Sequence, residues 1–528
     1  MKTLKNTIPA WLLCCAVAAA LTACDSYLDE LPDNRMEVTS ADNVSKLLVS
    51  AYPTSAPIMV AEYSSDNVDA YQGNPNTTRF VDQVYGWRDI TESNNESTEN
   101  FWEATYESIA TANLALQSID ELGGATTAQL REARGEALLC RAYGHFMLAN
   151  IFCHAYNSVT SHEDLGIVYL ERNVEELTAN PDRGTVADVY EHIDRDLQEG
   201  LSLVGSSYSV PKYHFNQKAA YAFACRFYLY YGQLDKALEY ANLCLGSDAH
   251  TVLRDWRVMA GMTQTFAALS QHYIDATLNS NLLLLTAYSA MGIVFGPYNY
   301  WSRYAHGQYL AKNEDGEAAN IWGSAEFYQG MHTYAATNLD KTIFIKLPYL
   351  FEYVDAVAGT GYYRTVYPAF TTDECLLNRA EVYVLTERYE EAAADLTTWM
   401  QNIIQTDLVL TPQLIKDFYN GVDYAYSDEK GIQSTIKKHL HPKFDIGQEG
   451  DLKEAMLQCV LGFRRIETLQ TGLRWYDVKR YGIEIVRREI DAAGEPAELT
   501  DILRTDDPRR ALQIPFKVRA AGVVANPR

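Results

Sequence analysis

A chain of 528 residues is long enough to bury a large core, as one big helical body or as two to three domains. Its formal net charge of −25 repels a phosphate backbone, which excludes a nucleic-acid partner and suits a solvated surface. Tyrosine outnumbers phenylalanine 37 to 17, more hydroxyls than a core needs, and points to a wet recognition surface of apolar rings with polar handles.

The N-terminus has the layout of a secretory signal: Lys2 and Lys5, an apolar run from Ile8 to Ala20, then Leu21-Thr22-Ala23-Cys24. The apolar run is too short to span a bilayer comfortably. Leu-Thr-Ala-Cys resembles a bacterial lipobox, which implies cleavage before Cys24, lipidation of its thiol and loss of Cys14 and Cys15 with the signal. Two or three acyl chains hold a protein firmly, each buried methylene contributing about 0.8 kcal/mol. From Asp25 to about Val38 the chain is acidic and irregular, a tether.

Asn43 to Tyr52 carries a short helical pattern, and Pro53 to Ser97 reads as an aromatic, ordered loop with little periodicity. At Thr98 the period changes to 3.6, with Phe101, Trp102, Thr105, Tyr106, Ile109 and Asn113 on one stripe. Thr127 to Phe152 is a second helix, whose small residues admit a close neighbour. Val186–Leu203, Asn216–Tyr231 and Leu234–Leu245 follow. Tyr228, Gly232, Leu234 and Ala237 repeat the offsets of Tyr383, Glu387, Tyr389 and Ala392, the spacing of a tetratricopeptide helix hairpin; generic antiparallel helix pairs are the alternative. Between His250 and Phe370 the helical pattern weakens and aromatic residues crowd. Helices resume at Thr371–Glu387, Tyr389–Ile404 and, after a polar excursion, Asp451–Gln470. Cys140, Cys153, Cys225, Cys244, Cys375 and Cys459 lack metal-ligand spacing and read as small buried hydrophobes, with one or two disulfides as the alternative.

Several stretches together resemble the SusD/RagB family of outer-membrane nutrient-binding lipoproteins. They are the stripe Trp102, Tyr106, Ile109 and Asn113, the segment Glu136 to Tyr143, Arg379-Ala-Glu381, Thr471 to Gly482 (Thr-Gly-Leu-Arg-Trp-Tyr-Asp-Val-Lys-Arg-Tyr-Gly), and Ile514-Pro515 with Asn526-Pro527. Leu138, Cys153 and Thr471 depart from the family's Arg, Gly and Glu. The resemblance implies a mostly α fold, a scaffold of tetratricopeptide-like helix pairs (98–250 and 371–482) with a large loop-rich ligand module (53–97 and 251–370). These form a single domain over 41–528, after a signal (1–23) and a tether (24–40). It also implies an outer-membrane, surface-exposed lipoprotein partnered by a SusC-like TonB-dependent transporter, to which it passes a glycan or peptide.

Sugar rings have apolar faces edged by hydroxyls, so they suit flat aromatic platforms flanked by amides and charges. On that ground Trp87, Tyr298, Tyr300, Trp301 and Trp322 are the expected ligand platforms, with Asp66, Asn67, Arg88, Asn299 and Arg303 as the polar edge. The competing reading is that these rings fill the loop module, whereas Trp102, Trp399 and Trp475, on helical stripes, belong to the core. Arg474-Trp475-Tyr476-Asp477 reads as a structural charge network beside an aromatic plug. No Gly-x-Ser-x-Gly elbow, His-Glu-x-x-His or P-loop occurs, so catalysis is not expected. No metal or other cofactor is expected either, except that Asp66-Asn67…Asp69 weakly suggests a calcium ion. A lipoprotein hydrolase acting before import and a non-binding helical scaffold are the alternatives to a binding protein.

Overall fold

The computed structural model describes residues 38–173, 182–298, 302–336 and 339–528. The expectations for the signal, for Cys24 and for Asn299, Tyr300 and Trp301 lie outside the described residues.

The fold is mostly helical, and most helices start at a side-chain cap written in the sequence. Helix α1 (Ala41–Leu48) is capped by Ser40, and α2 (Ile58–Ser64) follows. Strand β1 (Asp69–Tyr71) and α3 (Arg79–Tyr85, capped by Thr78) come next. Pro53 to Ser97, expected as loop, therefore contains two helices and a strand. They are short and buried on nearly every side, so they lack the amphipathic period that marks a helix in sequence.

The long helices α4 (Thr98–Glu121), α5 (Ala128–Phe152) and α6 (Val186–Leu203) are capped by Ser97, Thr127 and Thr185, the last forming a full capping box with Asp188. Helix α5 is buried over almost its whole circumference, and its glycines set how closely its neighbours approach. A Cβ on Gly135 would lie 2.5 Å from the Val204 nitrogen after α6, and one on Gly144 would lie 2.9 Å from Ile109 of α4.

The two repeat copies are helix hairpins. Helix α7 (Gln217–Tyr231) turns at Gly232 into α8 (Leu234–Leu245). After the sheet module, described below, α13 (Thr372–Leu385) turns at Glu387 into α14 (Tyr389–Ile403). Gly232 (φ 76°) and Glu387 (φ 61°) are both left-handed. The following N–H groups make matching bonds, Gln233 to the Tyr228 carbonyl (2.9 Å) and Arg388 to the Tyr383 carbonyl (2.7 Å). This is the C-cap geometry that satisfies orphan helix carbonyls, and the alanines of the motif, Ala237 and Ala392 on the returning helices, are fully buried. Helix α8 also packs on α13, so the hairpins stack and bury faces neither buries alone.

Between them lie α9 (Trp256–Ala260), α10 (Phe266–Tyr273), β2 (Asn281–Ala287), α11 (Met291–Val294), β3 (Tyr304–Ala305) and α12 (Gln308–Glu314). Strands β4 (His332–Ala336), β5 (Leu339–Ile343), β6 (Leu350–Asp355) and β7 (Thr360–Thr371) complete this region. The chain ends with α15 (Pro412–Asn420), α16 (Leu452–Glu467), α17 (Leu473–Arg480), β8 (Ile485–Ile490), β9 (Pro496–Leu503) and α18 (Phe516–Ala520). One sheet has the order β3-β1-β8-β9, with β1 and β8 parallel; a second is β2-β7-β6, antiparallel; β4 and β5 form a hairpin. The six cysteines from Cys140 to Cys459 are free and buried, which settles the disulfide alternative for them.

Helix α17 carries the charge network expected at Arg474 to Asp477. Arg474 donates two bonds of 2.8 Å to the Asp66 carboxylate. Asp477 accepts two of 2.8 Å from Arg464, which also donates to Glu381, and Trp475 is fully buried beside them. Burial pushes Glu381 up, but Arg464 and Arg480 outweigh it and hold its pKa at about 2. The network bolts the segment after α2 to the helical scaffold.

Candidate functional site

Strand β7 is twelve residues long, and its two halves have different surroundings. The half from Thr365 pairs with β2 and is largely buried; the half from Thr360 to Arg364 pairs with β6 alone and stands in solvent on both faces. In that hairpin Phe351 lies opposite Tyr363, and Tyr353 opposite Gly361. Side chains alternate along a strand, so Tyr349, Phe351 and Tyr353 share one face with Tyr363.

On this face the rings touch in sequence. The centroid separations are 5.7 Å for Tyr298–Tyr349, 5.9 Å for Tyr349–Tyr363, 5.4 Å for Tyr363–Phe351 and 4.8 Å for Phe351–Tyr353. Phe266 extends the row at 6.1 Å from Tyr298. Four of these rings are open to solvent, from 39% for Tyr298 and Tyr349 to 61% for Tyr353. The opposite face carries Tyr362 against Tyr288 and an exposed Arg364–Glu352 pair. Two strands alone are marginally stable in water and gain nothing by holding a row of rings into it, so the row reads as a recognition surface. Its base is fixed by Lys341, whose ammonium donates to the carbonyls of Val294 (3.0 Å) and Tyr298. Burial lowers the pKa of Lys341 to about 8.

A second feature gathers three of the residues expected from sequence. Trp87, Arg88 and Arg303 line one cleft of about 600 Å³, together with Tyr85, Tyr304 and Arg487. Trp87 has a left-handed backbone (φ 50°), rare for a bulky residue, and its indole donates to the Ser64 carbonyl at 2.9 Å. It is 2% exposed, and the guanidiniums of Arg487 and Arg509 lie 4.3 and 5.3 Å from its ring centre. Arg487 donates only to backbone carbonyls, those of Tyr63, Ser65, Val68 and Tyr85. Burial pulls its pKa below the ordinary arginine value.

Four of the ten expected ligand contacts are buried side chains with structural partners. Asp66 and Asn67 are buried structural partners, Asp66 of Arg474 and Asn67 of Arg465, whose Nε donates to the Asn67 amide oxygen at 2.8 Å. Trp322 is 7% exposed and packs on Phe327 and Phe463 in the core. Trp87 belongs to the cleft floor and offers no open platform. Among the described residues, Tyr298 is the one expected ring that joins the solvent-facing row. The suggested calcium site is also corrected, because guanidinium groups occupy its carboxylates: Arg474 that of Asp66, and Arg488 that of Asp69 at 3.0 Å. Tyr349, Phe351, Tyr353 and Tyr363 are not among the residues expected from sequence to contact a ligand. The alternation Tyr349-x-Phe351-x-Tyr353, followed by a Gly-x-Gly turn at 359–361, is a hairpin signal that identifies them.

Among the described residues no helix is long and apolar enough to cross a membrane. Residues 26–229 match the SusD-like_3 family model, described as starch-binding and associating with the outer membrane. No curated protein matches the sequence. Solved structures share the fold. A putative sugar-binding protein from Bacteroides vulgatus superposes with a TM-score of 0.61 at 19% identity, covering 93% of this chain and 99% of the other. A SusD superfamily protein from Bacteroides thetaiotaomicron superposes with a TM-score of 0.59 at 17% identity, covering 93% and 100%. A laminarin-binding SusD-like protein gives 0.50 at 14%, covering 92% and 98%. The N-terminal part of the chain thus matches a SusD-like family model, and the chain shares the fold of SusD superfamily structures over nearly its whole length.

Proposed function

We propose that this protein binds a glycan on the ring row Tyr298, Tyr349, Tyr363, Phe351 and Tyr353 and delivers it to a partner transporter in the outer membrane. The observation that carries the reading is the row itself, contiguous rings held open to water on a hairpin rooted in the core. Apolar sugar faces stack on such rings while tyrosine hydroxyls serve the sugar's edges. The relatives described as sugar-binding and laminarin-binding support a carbohydrate over a peptide. Asn299, Tyr300 and Trp301 directly follow Tyr298 in sequence and are proposed as further ligand contacts. A lipid anchor at Cys24 and a SusC-like TonB-dependent transporter complete the proposal; the family's association with the outer membrane supports both.

The test is oligosaccharide binding by calorimetry, with product release followed in the same samples. Losing one ring of this size from a binding surface costs about 1–2 kcal/mol, so Tyr363→Ala and Tyr349→Ala are expected to weaken binding about tenfold while circular dichroism is unchanged. Unchanged affinity in both variants overturns the ring row as the site. Turnover of the oligosaccharide, abolished by changing one carboxylate, would make the protein a hydrolase.

A further inference from the structure

The cleft around Trp87 differs electrically from the molecule that carries it. Five arginines line it, Arg88, Arg303, Arg487, Arg509 and Arg528, against four acids, Asp82, Asp89, Glu489 and Asp501. Five minus four leaves one positive charge, in a protein whose formal net charge is −25. The acids are already engaged: Asp89 pairs with Arg519 at 3.0 Å, Glu489 with Arg303 at 3.4 Å and Asp501 with Arg509 at 2.6 Å. Asp82 accepts the Tyr304 hydroxyl at 2.8 Å. Two of the guanidiniums have no carboxylate partner among the described residues. Arg487 faces only carbonyls, and Arg88, which is exposed, donates to the Asp82 carbonyl at 2.8 Å. A concave site with low-dielectric walls concentrates the field of such charges. The planar fork of arginine matches an oxyanion with paired N–H groups.

The cleft is also close to the ring row. Tyr298 belongs to one and Arg303 lines the other, five residues apart, so their Cα atoms are separated by at most about 18 Å. An oligosaccharide of a few units spans that distance.

We propose that this cleft receives an oxyanion borne on a sugar, a carboxylate or a sulfate, so that the protein selects acidic glycans. The inference rests on the ring row as the glycan site, which it deepens: rings hold the sugar faces, and at the cleft Arg88 holds the charge together with Arg303, whose long, solvent-open pair with Glu489 gives way to the ligand's oxyanion.

The experiment uses the full-length protein in detergent on an array of neutral, uronate-containing and sulfated oligosaccharides, followed by titration of retained ligands. Retention of uronates or of sulfated sugars is expected, with affinity falling as salt rises, and which of the two is retained identifies the oxyanion. Arg88→Gln and Arg303→Gln are expected to weaken the acidic ligand about tenfold each and its neutral counterpart less than twofold. Both side chains are at least partly open to solvent, so the variants are expected to fold, with circular dichroism as the check. Retention of neutral glycans alone, or acidic binding unaltered in both variants, overturns the cleft assignment and leaves the ring row standing. Retention of no glycan overturns both.

Discussion

Replacing Asp66 by Asn separates a structural carboxylate from a ligand contact. The Asp66 side chain receives Arg474 Nε and Nη2 at 2.8 Å each, with Arg465 Nη1 at 3.6 Å, and all three side chains are at most 3% exposed. Removing one partner from a buried ion pair leaves an uncompensated charge and costs about 3–5 kcal/mol. Asparagine keeps one oxygen for one guanidinium N–H, so Asp66→Asn is expected near the lower end, about 3 kcal/mol, and Asp66→Ala near the upper. Burial pushes the Asp66 pKa up, but Arg465 and Arg474 outweigh it and hold it well below the usual carboxylate range. A folded-state pKa below the unfolded one contributes stability that is present above the unfolded value, about 3.9, and is lost as pH falls through the folded value. The difference between wild type and Asp66→Asn should therefore be flat from pH 5 to pH 8 and close only in strong acid. Urea unfolding followed by circular dichroism at several pH values measures it, and glycan affinity is measured on the folded variant. A variant that unfolds with wild-type protein yet loses its ligand would refute this reasoning and return Asp66 to the binding site.

Glu96 is buried with its carboxylate accepting from the Ala290 N–H and the Ser289 hydroxyl, and burial outweighs those bonds to push its pKa up to about 7. Because the folded value lies above the unfolded one, charging Glu96 costs the fold about 3 kcal/mol as pH rises from 4.5 to 7. Glu96→Gln should therefore gain on wild type across that window, and parallel stability curves from pH 5 to pH 8 would contradict the assignment. Glu387 holds a left-handed backbone at the turn where the other repeat copy has Gly232, so Glu387→Gly should stabilise by about 0.5–1 kcal/mol in thermal unfolding, and a loss would show that its side chain matters more than its φ.

Much of the scaffold is legible because long amphipathic helices announce themselves through caps and period. Ser97, Thr127, Thr185 and Asn216 each stand one residue before the helix they cap. The offsets shared by Tyr228 and Tyr383 encode a turn in which residue +4 is left-handed and residue +9 is buried, and both copies obey it. The candidate site is less legible for a physical reason. A tryptophan near asparagine and arginine in a loop looks alike whether it faces a sugar or a guanidinium. At Trp87 the ring is covered by Arg487, which lies 400 residues further along the chain. Asp66 and Arg474 are 408 residues apart, so no local pattern identifies the carboxylate as spoken for.

The placement of the ring row also explains why a helical scaffold is needed at all. An isolated two-stranded hairpin carrying exposed rings has little to hold it in one shape. Here β7 continues past the exposed segment into the buried sheet with β2, and its last residue, Thr371, caps α13 through the Glu374 N–H. Glu374 pairs with Arg226 of α7 at 2.6 Å, and Arg226 also donates to the Ala369 carbonyl of β7 at 2.8 Å. The same guanidinium lies over Phe370. One buried arginine thus ties both repeat hairpins to the strand that bears the rings, so the rigidity of the stacked helices passes along β7 to its solvent end. Rings fixed in this way lose little freedom when a sugar lands on them, and that saving favours binding on a surface that stays open to water.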